Sequence, residues 1–520
     1  MPEIVFSGRF YAEEGSIFFH NAWKLPWYEA LVAPLGGYLN IVATSATVLA
    51  RHLVSIELAP YVTIIISLLF QLCPLILLLT SEEPWLNSRN TIVLALLLVI
   101  TPPVSEEIWL NTLHSQFHLT LCAALILAFR PSTPKIELFR IALLLLGSLS
   151  GPGPALLLPL FLVRAVLDKS RGRALQASAL ALGVMVQLVW FYSAVSGRSY
   201  GMDPALFLGV MFTRQIVVPF LGHDQAVDIT AKVLKGISSG NMPIWVPLVT
   251  CGAFATLASA LLLRRRSDLF WLFTAGCVVV VFSYYGAFVL NFPKTNLLLP
   301  DFGPRYYYVP QAIFALVVLG LAATGKDAVS KVSWIVVIWF VVIGLHEYFW
   351  PSNYFYAHGP DWRQEVAQWR KDPNHILRQW PQGWLLQLPT KEDNIPPAAD
   401  VVFLSVIWQG SPPRGSKLGG NVDLLERRRN NEIRIVGWAL QDPSDRENRI
   451  IVVAGERLHV VSATRTSRPD VAAAMDDPAL LRAGFDLRLV NTLSSANPSP
   501  IQVFSESGRY GLRQLRVPSL

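Results

Sequence analysis

Long apolar runs separated by short polar loops organise the chain from residue 60 to residue 350. Each run approaches the roughly 20 residues that a helix needs to cross a bilayer, or falls somewhat short of that length. The ten runs that we predict as spans are 60–80, 90–101, 115–129, 137–150, 154–167, 174–195, 242–263, 268–290, 305–324 and 332–350. Residues 196–241 are expected to form a long outer loop. The pattern predicts a polytopic α-helical membrane protein with about ten spans.

Residues 1–59 have a different pattern from the spans that follow. The stretch 16–35 is aromatic and amphipathic, which is typical of a segment that lies in the membrane interface. The stretch 39–58 is only moderately apolar, and we interpret it as an interfacial helix that lies flat. The sequence therefore predicts an external acidic loop with interfacial helices over 1–59, ahead of a transmembrane domain over 60–350.

The C-terminal third changes character twice. Residues 351–400 form a tryptophan-rich external connector, with a short helix over 361–372 capped by Asp361. From residue 401 to 520, short alternating runs are separated by Gly, Pro, Asp and Asn, which is typical of strands. The runs are 433–440, 449–453, 458–463, 485–490 and 501–504. We predict a soluble, β-rich domain that resembles a small β-sandwich.

Composition supports a membrane protein and limits its partners. The chain is 52% hydrophobic and 15% charged, with a mean hydropathy of +0.42, whereas soluble domains average about 25% charged residues. The net charge of +7 comes from basic loops between alternate pairs of spans, as expected of loops that face the cytoplasm. We therefore expect a lipid bilayer as partner, and no nucleic acid. The four cysteines lie in apolar runs without a CxxC pair, so neither a disulfide framework nor a zinc ribbon is predicted.

Two adjacent carboxylates, Glu13 and Glu14, lie between aromatic residues in the first outer segment. Apolar neighbours raise the proton affinity of a carboxylate, and general-base catalysis needs such a tuned group. A solvated loop with two surface glutamates is the alternative interpretation. No apolar run precedes Arg9, so no signal peptide is expected.

Polar residues are concentrated on the predicted outer side, where ionisable groups near a membrane indicate function. They are Glu13, Glu14, Glu106, Glu107, Asn111, His114, Gln116, His118, Asp301 and Arg305. His114 and His118 have the i, i+4 spacing of a metal pair, but the intervening HExxH glutamate and a third ligand are missing. Hydrogen bonding to substrate, or packing within the bundle, is the other interpretation. We predict no metal and no cofactor.

Arg305 and Tyr306 begin the run 305–324, at its predicted outer end. A guanidinium group suits a phosphate because it presents a planar set of donors. Tyrosines at this level are also expected in any interfacial belt. The sequence leaves a phosphate-binding role and an interfacial role both open.

The order of these features resembles the bacterial GT-C type glycosyltransferases over most of residues 1–400. The resemblance rests on the Phe-Tyr-Ala-Glu-Glu-Gly acidic loop, on residues 103–107 leading to Asn111, His114 and Gln116, and on Arg305-Tyr306-Tyr307 at the start of a span. Residues 436–439, 468–471 and 483–485 are also similar to a small β-domain attached to bacterial surface-glycan glycosyltransferases. In the family a transmembrane helix precedes the acidic loop. Only nine residues precede Phe10 here, so we expect a late start or a shortened variant.

This resemblance implies an enzyme of the bacterial inner membrane, with its C-terminal domain on the periplasmic side. It implies transfer of a hexose or pentose from a polyprenyl-phosphate donor to a glycan or lipid acceptor, with inversion. Glu13 or Glu14 would then be the catalytic base. The substrate-binding residues would be Arg305, His114, Gln116, Asn111, Tyr306 and Glu107.

Two other classes of function remain open at this level. A flippase or transporter of lipid-linked glycans would place ionisable groups near the bilayer midplane, often in repeated halves, and a glycan polymerase would use closely related chemistry. A non-catalytic scaffold for envelope assembly would use the β-domain for interaction. The charges of this chain concentrate at the predicted outer ends, and no repeat is visible.

Overall fold

The structure is a computed structural model that describes residues 2–193, 203–287, 294–300, 302–350, 359–373, 375–381 and 383–388, together with eight strands between residues 420 and 514. The chain divides into two compact units according to its internal contacts. The first unit ends at Arg363, and the main part of the second starts at Gln364. The first unit is helical. The second holds the strands.

Helices account for nearly all of the first unit. The α-helices are Pro2–Ser7, His20–Lys24, Trp27–Leu31, Ile41–Leu53, Ala59–Leu79, Arg89–Ile100, Ser115–Ala128, Pro134–Leu149, Pro152–Ala155, Leu158–Asp168, Arg171–Ser193, Pro204–Phe212, Val218–Ser238, Trp245–Leu263, Ser267–Ala287, Arg305–Ala323 and Ala328–Phe349. Glu14–Phe19 and Thr213–Val217 are π-helical. Short 3₁₀ turns lie at Ile56–Leu58, Pro84–Leu86, Glu106–Ile108 and Lys294–Leu298.

Seven of the described helical segments are long and apolar enough to cross a membrane, or up to eight if a bent pair is counted as one span. One of the seven, Pro204–Ile237, is interrupted at Gly222. The protein is therefore a helical membrane protein with a small sheet region. The predicted spans 137–150 and 154–167 correspond to the bent pair Pro134–Leu149 and Pro152–Asp168, in which the chain bends by 113° between the two helices. The predicted spans 90–101 and 115–129 form helices of 12 and 14 residues, which are shorter than the roughly 20 residues of a full crossing.

Two deeply buried helices form the centre of the first unit. All residues of Ser115–Ala128 except Phe117 are buried, and Arg305–Ala323 is buried along most of its length. Basic side chains cover the C-terminal ends of both: Arg173 donates to the carbonyl oxygen of Ile126 at 3.0 Å, and Arg264 donates to that of Leu321 at 2.7 Å. The basic loops therefore lie at the helix ends opposite to those that begin at His114 and Arg305.

Residues 204–238 are helical, so the prediction of a long loop over 196–241 is wrong for this part of it. A methyl group on Gly209 would lie 3.4 Å from Val233 and 3.0 Å from Ile237, although a straight helix would separate residues 209 and 233 by about 36 Å. The segment therefore folds back on itself, and we call it the hairpin. Its turn is at Gly222, which has φ 77° and ψ −174° inside the second helix. The loop prediction failed because apolar and charged residues are mixed in this segment, so the sequence does not indicate two helices joined by a turn at Gly222.

The first 59 residues pack on the bundle through buried backbone contacts. Gln187 donates to the Leu39 carbonyl oxygen at 2.9 Å and accepts from the Leu39 amide at 2.8 Å. Asn40 caps helix Ile41–Leu53 by accepting from the Ala43 amide, and its Nδ2 donates to the Leu113 carbonyl oxygen at 3.2 Å. This 13-residue helix is too short to span and stands where an interfacial helix was predicted.

The connector contains the predicted short helix. It runs over Trp362–Lys371, and Asp361 accepts a hydrogen bond from the Arg363 amide at 2.9 Å, as a capping residue does. A two-stranded ladder, Leu377–Arg378 with Leu385–Leu386, follows. Within the second unit, Glu365 accepts from the backbone and side chain of Arg378 and lies 3.2 Å from His375 Nε2.

Two four-stranded antiparallel sheets follow in the second unit. The five strands predicted from alternation are present as Ile433–Ala439, Arg449–Ala454, Arg457–Ser462, Gly484–Leu489 and Ile501–Ser507. Gly420–Arg427, Arg465–Thr466 and Gly511–Gln514 were not predicted. One sheet has the order Gly511–Gln514, Ile501–Ser507, Arg449–Ala454, Arg457–Ser462, and the other has the order Gly420–Arg427, Ile433–Ala439, Gly484–Leu489, Arg465–Thr466.

Replacing Gly222 by alanine should destabilise the protein by about 1–3 kcal/mol, because a side chain at this φ and ψ is strained. The Gly252→Ala variant is the matched control, since its new methyl group would meet no atom within 4 Å. Thermal unfolding in detergent would measure both variants. Equal midpoints for the two would contradict the assignment of Gly222 as the turn.

Candidate active site

Residues 9–19 turn sharply at Ala12 and bring two glutamates to different environments. Ala12 has φ 47°, a left-handed conformation that costs energy in a residue with a side chain. Its carbonyl oxygen then accepts from Ser16 Oγ at 3.1 Å, and the chain enters the π-helix Glu14–Phe19. Short π-helical segments often occur at functional sites. The turn gives Glu13 and Glu14 different neighbours although they are adjacent in sequence.

Glu14 is fully buried, and its carboxylate is occupied by protein donors. Its Oε1 accepts from the Thr112 amide at 2.7 Å and from the Thr112 hydroxyl, and its Oε2 accepts from the Tyr11 amide at 3.2 Å. Burial raises the pKa of Glu14, and the hydrogen bonds from Thr112 and Tyr11 oppose that rise. Glu14 therefore connects the acidic loop to the loop before helix Ser115–Ala128.

A buried ion pair between Glu107 and Arg305 lies beside this connection. Arg305 Nη1 donates to Glu107 Oε1, the Arg305 amide donates to Oε2 at 3.2 Å, and the Tyr11 hydroxyl donates to Oε1 at 3.2 Å. Burial alone would raise the pKa of Glu107, but Arg305 and His114 outweigh it, and the pKa is lowered. Glu107 is therefore ionised at neutral pH. Arg305 keeps 29% of its side chain exposed.

The loop between Glu107 and His114 is held by its own polar groups. Asn111 donates to the Glu107 carbonyl oxygen at 2.9 Å and accepts from the His114 amide at 3.0 Å. His114 Nδ1 lies 2.8 Å from the same Glu107 oxygen, so this nitrogen carries the proton, since a carbonyl only accepts. Burial lowers the pKa of His114 to about 4, against the attraction of Glu107. His114 is therefore neutral above pH 5.

Glu13 differs from both of these carboxylates. It is half-buried, and its carboxylate accepts no hydrogen bond from any other residue among those that the structure describes. Burial raises the pKa of Glu13, while the charge of Arg305 lowers it and that of Glu107 raises it further. Glu13 thus combines an elevated proton affinity, a nearby guanidinium group and a carboxylate that is bonded only by its own backbone amide among the described residues. These are the properties of a general base.

Backbone strain concentrates around this cluster. Among the described residues, five that are not glycine have positive φ, and three of them are Ala12, Val104 and Leu110. Ala12 precedes Glu13, whereas Val104 and Leu110 bracket the turn that carries Glu107. Such conformations cost about 1–3 kcal/mol each and are retained where the surrounding structure or function requires them.

The other predicted site residues divide into those that join the cluster and those that do not. Tyr306 joins it, with its ring 4.8 Å from the Arg305 guanidinium carbon. Gln116 instead packs against the backbone of Gly151, where an added methyl group would lie 2.1 Å from Gln116 Oε1. Glu106 is half-buried on the turn before Glu107. Asp301 lies outside the described residues.

His118 does not combine with His114. Its Nε2 faces the Ile108 carbonyl oxygen at 3.4 Å, and its Nδ1 faces the Tyr308 hydroxyl at 3.3 Å. His114 is engaged with Glu107 on the other side. No group of three His, Cys, Asp or Glu residues within the described ranges is placed to hold a metal ion. The arrangement favours packing for His118.

The sequence did not mark three residues around the cluster as site residues, although Tyr11 belongs to the acidic loop and Trp362 to the connector. Tyr11 joins Glu14 through its amide and Glu107 through its hydroxyl, and Thr112 saturates Glu14. Trp362 packs edge-on against Phe10 at 5.1 Å and donates to the Ile56 carbonyl oxygen at 2.8 Å. Tyr11 and Thr112 each adjoin a residue that was singled out, but their partners are about 100 residues away and invisible in one sequence.

The cluster can accept a proton at Glu13 and bind an anion at Arg305. Helices Ser115–Ala128 and Arg305–Ala323 both begin here, and helix N-termini favour negative charge. Comparisons with protein-family models, with curated proteins and with solved structures find no match to this chain.

The pKa of His114 makes a prediction about acid stability. Its folded pKa of about 4 lies below its usual value of 6.5, so the unfolded chain binds more protons between these values. Stability from this group is then lost as the pH falls, by about 2 kcal/mol between pH 7 and pH 5. The His114→Gln variant lacks this loss.

Chemical unfolding in detergent at the two pH values would measure the difference. Contributions from Glu13 and Glu14 are shared by both proteins and cancel in the comparison. An equal pH dependence of wild type and His114→Gln would contradict the burial of a neutral His114.

Proposed function

We propose that this chain is a membrane glycosyltransferase that moves a hexose or pentose from a polyprenyl-phosphate donor to a hydroxyl of a glycan or lipid acceptor. The placement we propose is the bacterial inner membrane, with the site on the external face. One observation carries the proposal: Glu13 is a half-buried carboxylate with raised pKa and no hydrogen bond from another described residue, beside Arg305. Its neighbour Glu14 is saturated by protein donors.

In the proposed reaction Glu13 removes the proton of the acceptor hydroxyl. The acceptor oxygen forms a bond to the anomeric carbon of the sugar on the face opposite the phosphate. The bond between that carbon and the phosphate oxygen breaks, its electron pair leaves with the polyprenyl phosphate, and the configuration inverts. A base is required because an alcohol is a weak nucleophile, and a positioned base typically contributes about 10²–10⁴-fold in rate.

Arg305 is the proposed partner of the phosphate. One guanidinium nitrogen is paired with Glu107, while 29% of the side chain remains exposed. The leaving phosphate gains negative charge as the bond to the sugar breaks, and preorganised donors stabilise such charge most strongly in a site that excludes water. Tyr306 lies against the guanidinium group. His114 and Asn111 hold the Glu107 loop, which is a positioning role in this proposal.

An apolar cavity of about 450 Å³ in the first unit suits the hydrocarbon chain of such a donor. Pro103 of its lining precedes the Glu107 turn, and Gln311 lies about 9 Å along the helix from Arg305. From there the lining continues past Phe314 to Leu321 and Ala328. Apolar walls with few polar groups are typical of pockets for lipophilic ligands.

A transporter or flippase of lipid-linked glycans is less well supported by these observations, because the charged cluster lies at helix N-termini and not along their length. A polymerase of lipid-linked glycans would use the same base and phosphate site. A non-catalytic scaffold gives no reason for the strained turn that places Glu13 beside Arg305.

The Glu13→Gln variant should fold and lose sugar transfer by at least about 100-fold, because the amide cannot accept the proton. The Glu14→Gln variant should be less stable by about 1–3 kcal/mol, because an amide NH₂ would face the Thr112 or Tyr11 donors. Its folded fraction should remain active.

Transfer of radiolabelled hexose or pentose from polyprenyl phosphate to endogenous acceptors in isolated membranes would measure activity, with thermal unfolding alongside. Undiminished transfer by Glu13→Gln would sink the proposed mechanism. So would complete loss of transfer by a Glu14→Gln protein of unchanged stability, since Glu14 would then be the base.

The cavity makes a second prediction, about chain length. Ala253 lines the cavity, so the larger side chain of an Ala253→Phe variant should fill part of it. The variant should bind farnesyl phosphate about tenfold more weakly, because about two methylene groups of the ligand would no longer be buried. Binding of dimethylallyl phosphate should change little. Ala255→Phe is the control, because Ala255 is exposed on the same helix and does not line the cavity.

Quenching of intrinsic tryptophan fluorescence in detergent would measure the binding of farnesyl phosphate and of dimethylallyl phosphate. Equal weakening by the two variants, or no weakening by either, would refute the cavity as the site of the chain.

A further inference from the structure

Arg214 is a fully buried arginine in the π-helix Thr213–Val217 of the hairpin. A buried guanidinium group must be satisfied by hydrogen bonds, since desolvating an unpaired charge is costly. The hydrogen-bond partners of Arg214 therefore indicate its structural role. The mechanism proposed above does not use this residue.

The guanidinium group donates to four main-chain carbonyl oxygens. Nε donates to Leu297 at 3.1 Å, Nη1 to Pro300 at 2.6 Å, and Nη2 to Phe302 at 3.0 Å and to Leu299. All four oxygens belong to the segment that immediately precedes Arg305, which we call the pre-Arg305 segment (residues 297–300 and 302). Arginine suits this task because its planar donors diverge in fixed directions.

The residues after Arg305 are fixed by the same group. The guanidinium carbon of Arg214 lies 3.7 Å from the centre of the Tyr307 ring. The Tyr307 hydroxyl donates to the carbonyl oxygens of Leu297 and Phe302 at 3.2 and 3.1 Å, and Gln311 donates to the Arg214 carbonyl oxygen at 2.9 Å. Arg214 therefore contacts the chain on both sides of Arg305.

Arg305 itself depends on backbone placement. Its amide and its Nη1 both bind Glu107, so the backbone at residue 305 and the guanidinium group are set against one carboxylate. Gly303, with φ 62°, turns the chain between the pre-Arg305 segment and the helix that starts at Arg305. Movement of that segment would shift the amide away from Glu107.

We propose that Arg214 is a positioning residue for Arg305: it holds the pre-Arg305 segment and thereby sets the guanidinium group for an anion. The consequence for catalysis rests on the proposed function, whereas the positioning does not. Gln215 and Ile216, which follow Arg214 in the π-helix, line the apolar cavity. Arg214 thus binds the pre-Arg305 segment, and the next two residues of the same π-helix form part of the cavity wall.

Hydrogen exchange of a peptide that covers residues 303–308, whose exchanging amides are those of Gly303 and residues 305–308, tests the positioning in detergent without any ligand. The Arg214→Gln variant should raise their exchange by about tenfold, since protection follows local opening. The control is Arg173→Gln, which also removes a fully buried arginine that binds main-chain oxygens, at Ile126 and Phe129. It should leave this peptide unchanged. If Arg214→Gln does not fold, Arg214→Lys retains the charge without the four-way geometry and should show the same increase.

Binding of farnesyl phosphate, with inorganic phosphate alongside, separates positioning from a general loss of structure. Arg214→Gln and Arg305→Gln should each weaken binding, and the double variant should be no weaker than Arg305→Gln alone, because both changes act through one group. Additive losses, or unchanged exchange at 303–308 in both Arg214 variants, would overturn the proposal. If wild type binds no farnesyl phosphate, the proposed donor is wrong, and the exchange result still decides the role of Arg214.

Discussion

The ion pair between Glu107 and Arg305 is the interaction on which the rest of the site depends. Desolvating two charges is expensive, and a buried pair is tolerated only where additional hydrogen bonds satisfy it. Here the Tyr11 hydroxyl and the Arg305 amide supply those bonds. The pair therefore joins three distant segments, the acidic loop, the loop before helix Ser115–Ala128 and the start of helix Arg305–Ala323. The charge and the hydrogen bonds of Arg305 keep the carboxylate ionised.

The pair also determines the field at Glu13. Burial raises the pKa of Glu13, and the charge of Arg305 lowers it while that of Glu107 raises it. Arg305 binds Glu107 through Nη1 and its amide, and 29% of its side chain remains exposed. In the proposed function, the charge of Glu107 raises the proton affinity of Glu13, and Arg305 attracts an anion. The same pair would then serve both the acid–base step and anion binding.

Much of the bundle could be predicted from the sequence, because long apolar runs are typical of membrane helices. The strands from residue 433 to 507 could be predicted because apolar and polar residues alternate along them. The hairpin could not be predicted, since its turn depends on one glycine, Gly222, and on contacts of Gly209 with residues more than 20 positions away. The site residue types were identifiable, but Gln116 shows that a shared helix end does not ensure a shared site.

The difference between Glu13 and Glu14 has a physical reason that sequence alone could not give. A proton on a carboxylate oxygen that already accepts a protein hydrogen bond would face that donor, so a residue that holds the fold together is poorly suited to take up and release protons. Glu14 holds Thr112 and Tyr11 in place, and the strained φ of Ala12 turns Glu13 away from these donors. The strained turn at Ala12 therefore separates two environments for adjacent glutamates. In the proposed function this separation leaves Glu13 available as the base while Glu14 holds the fold.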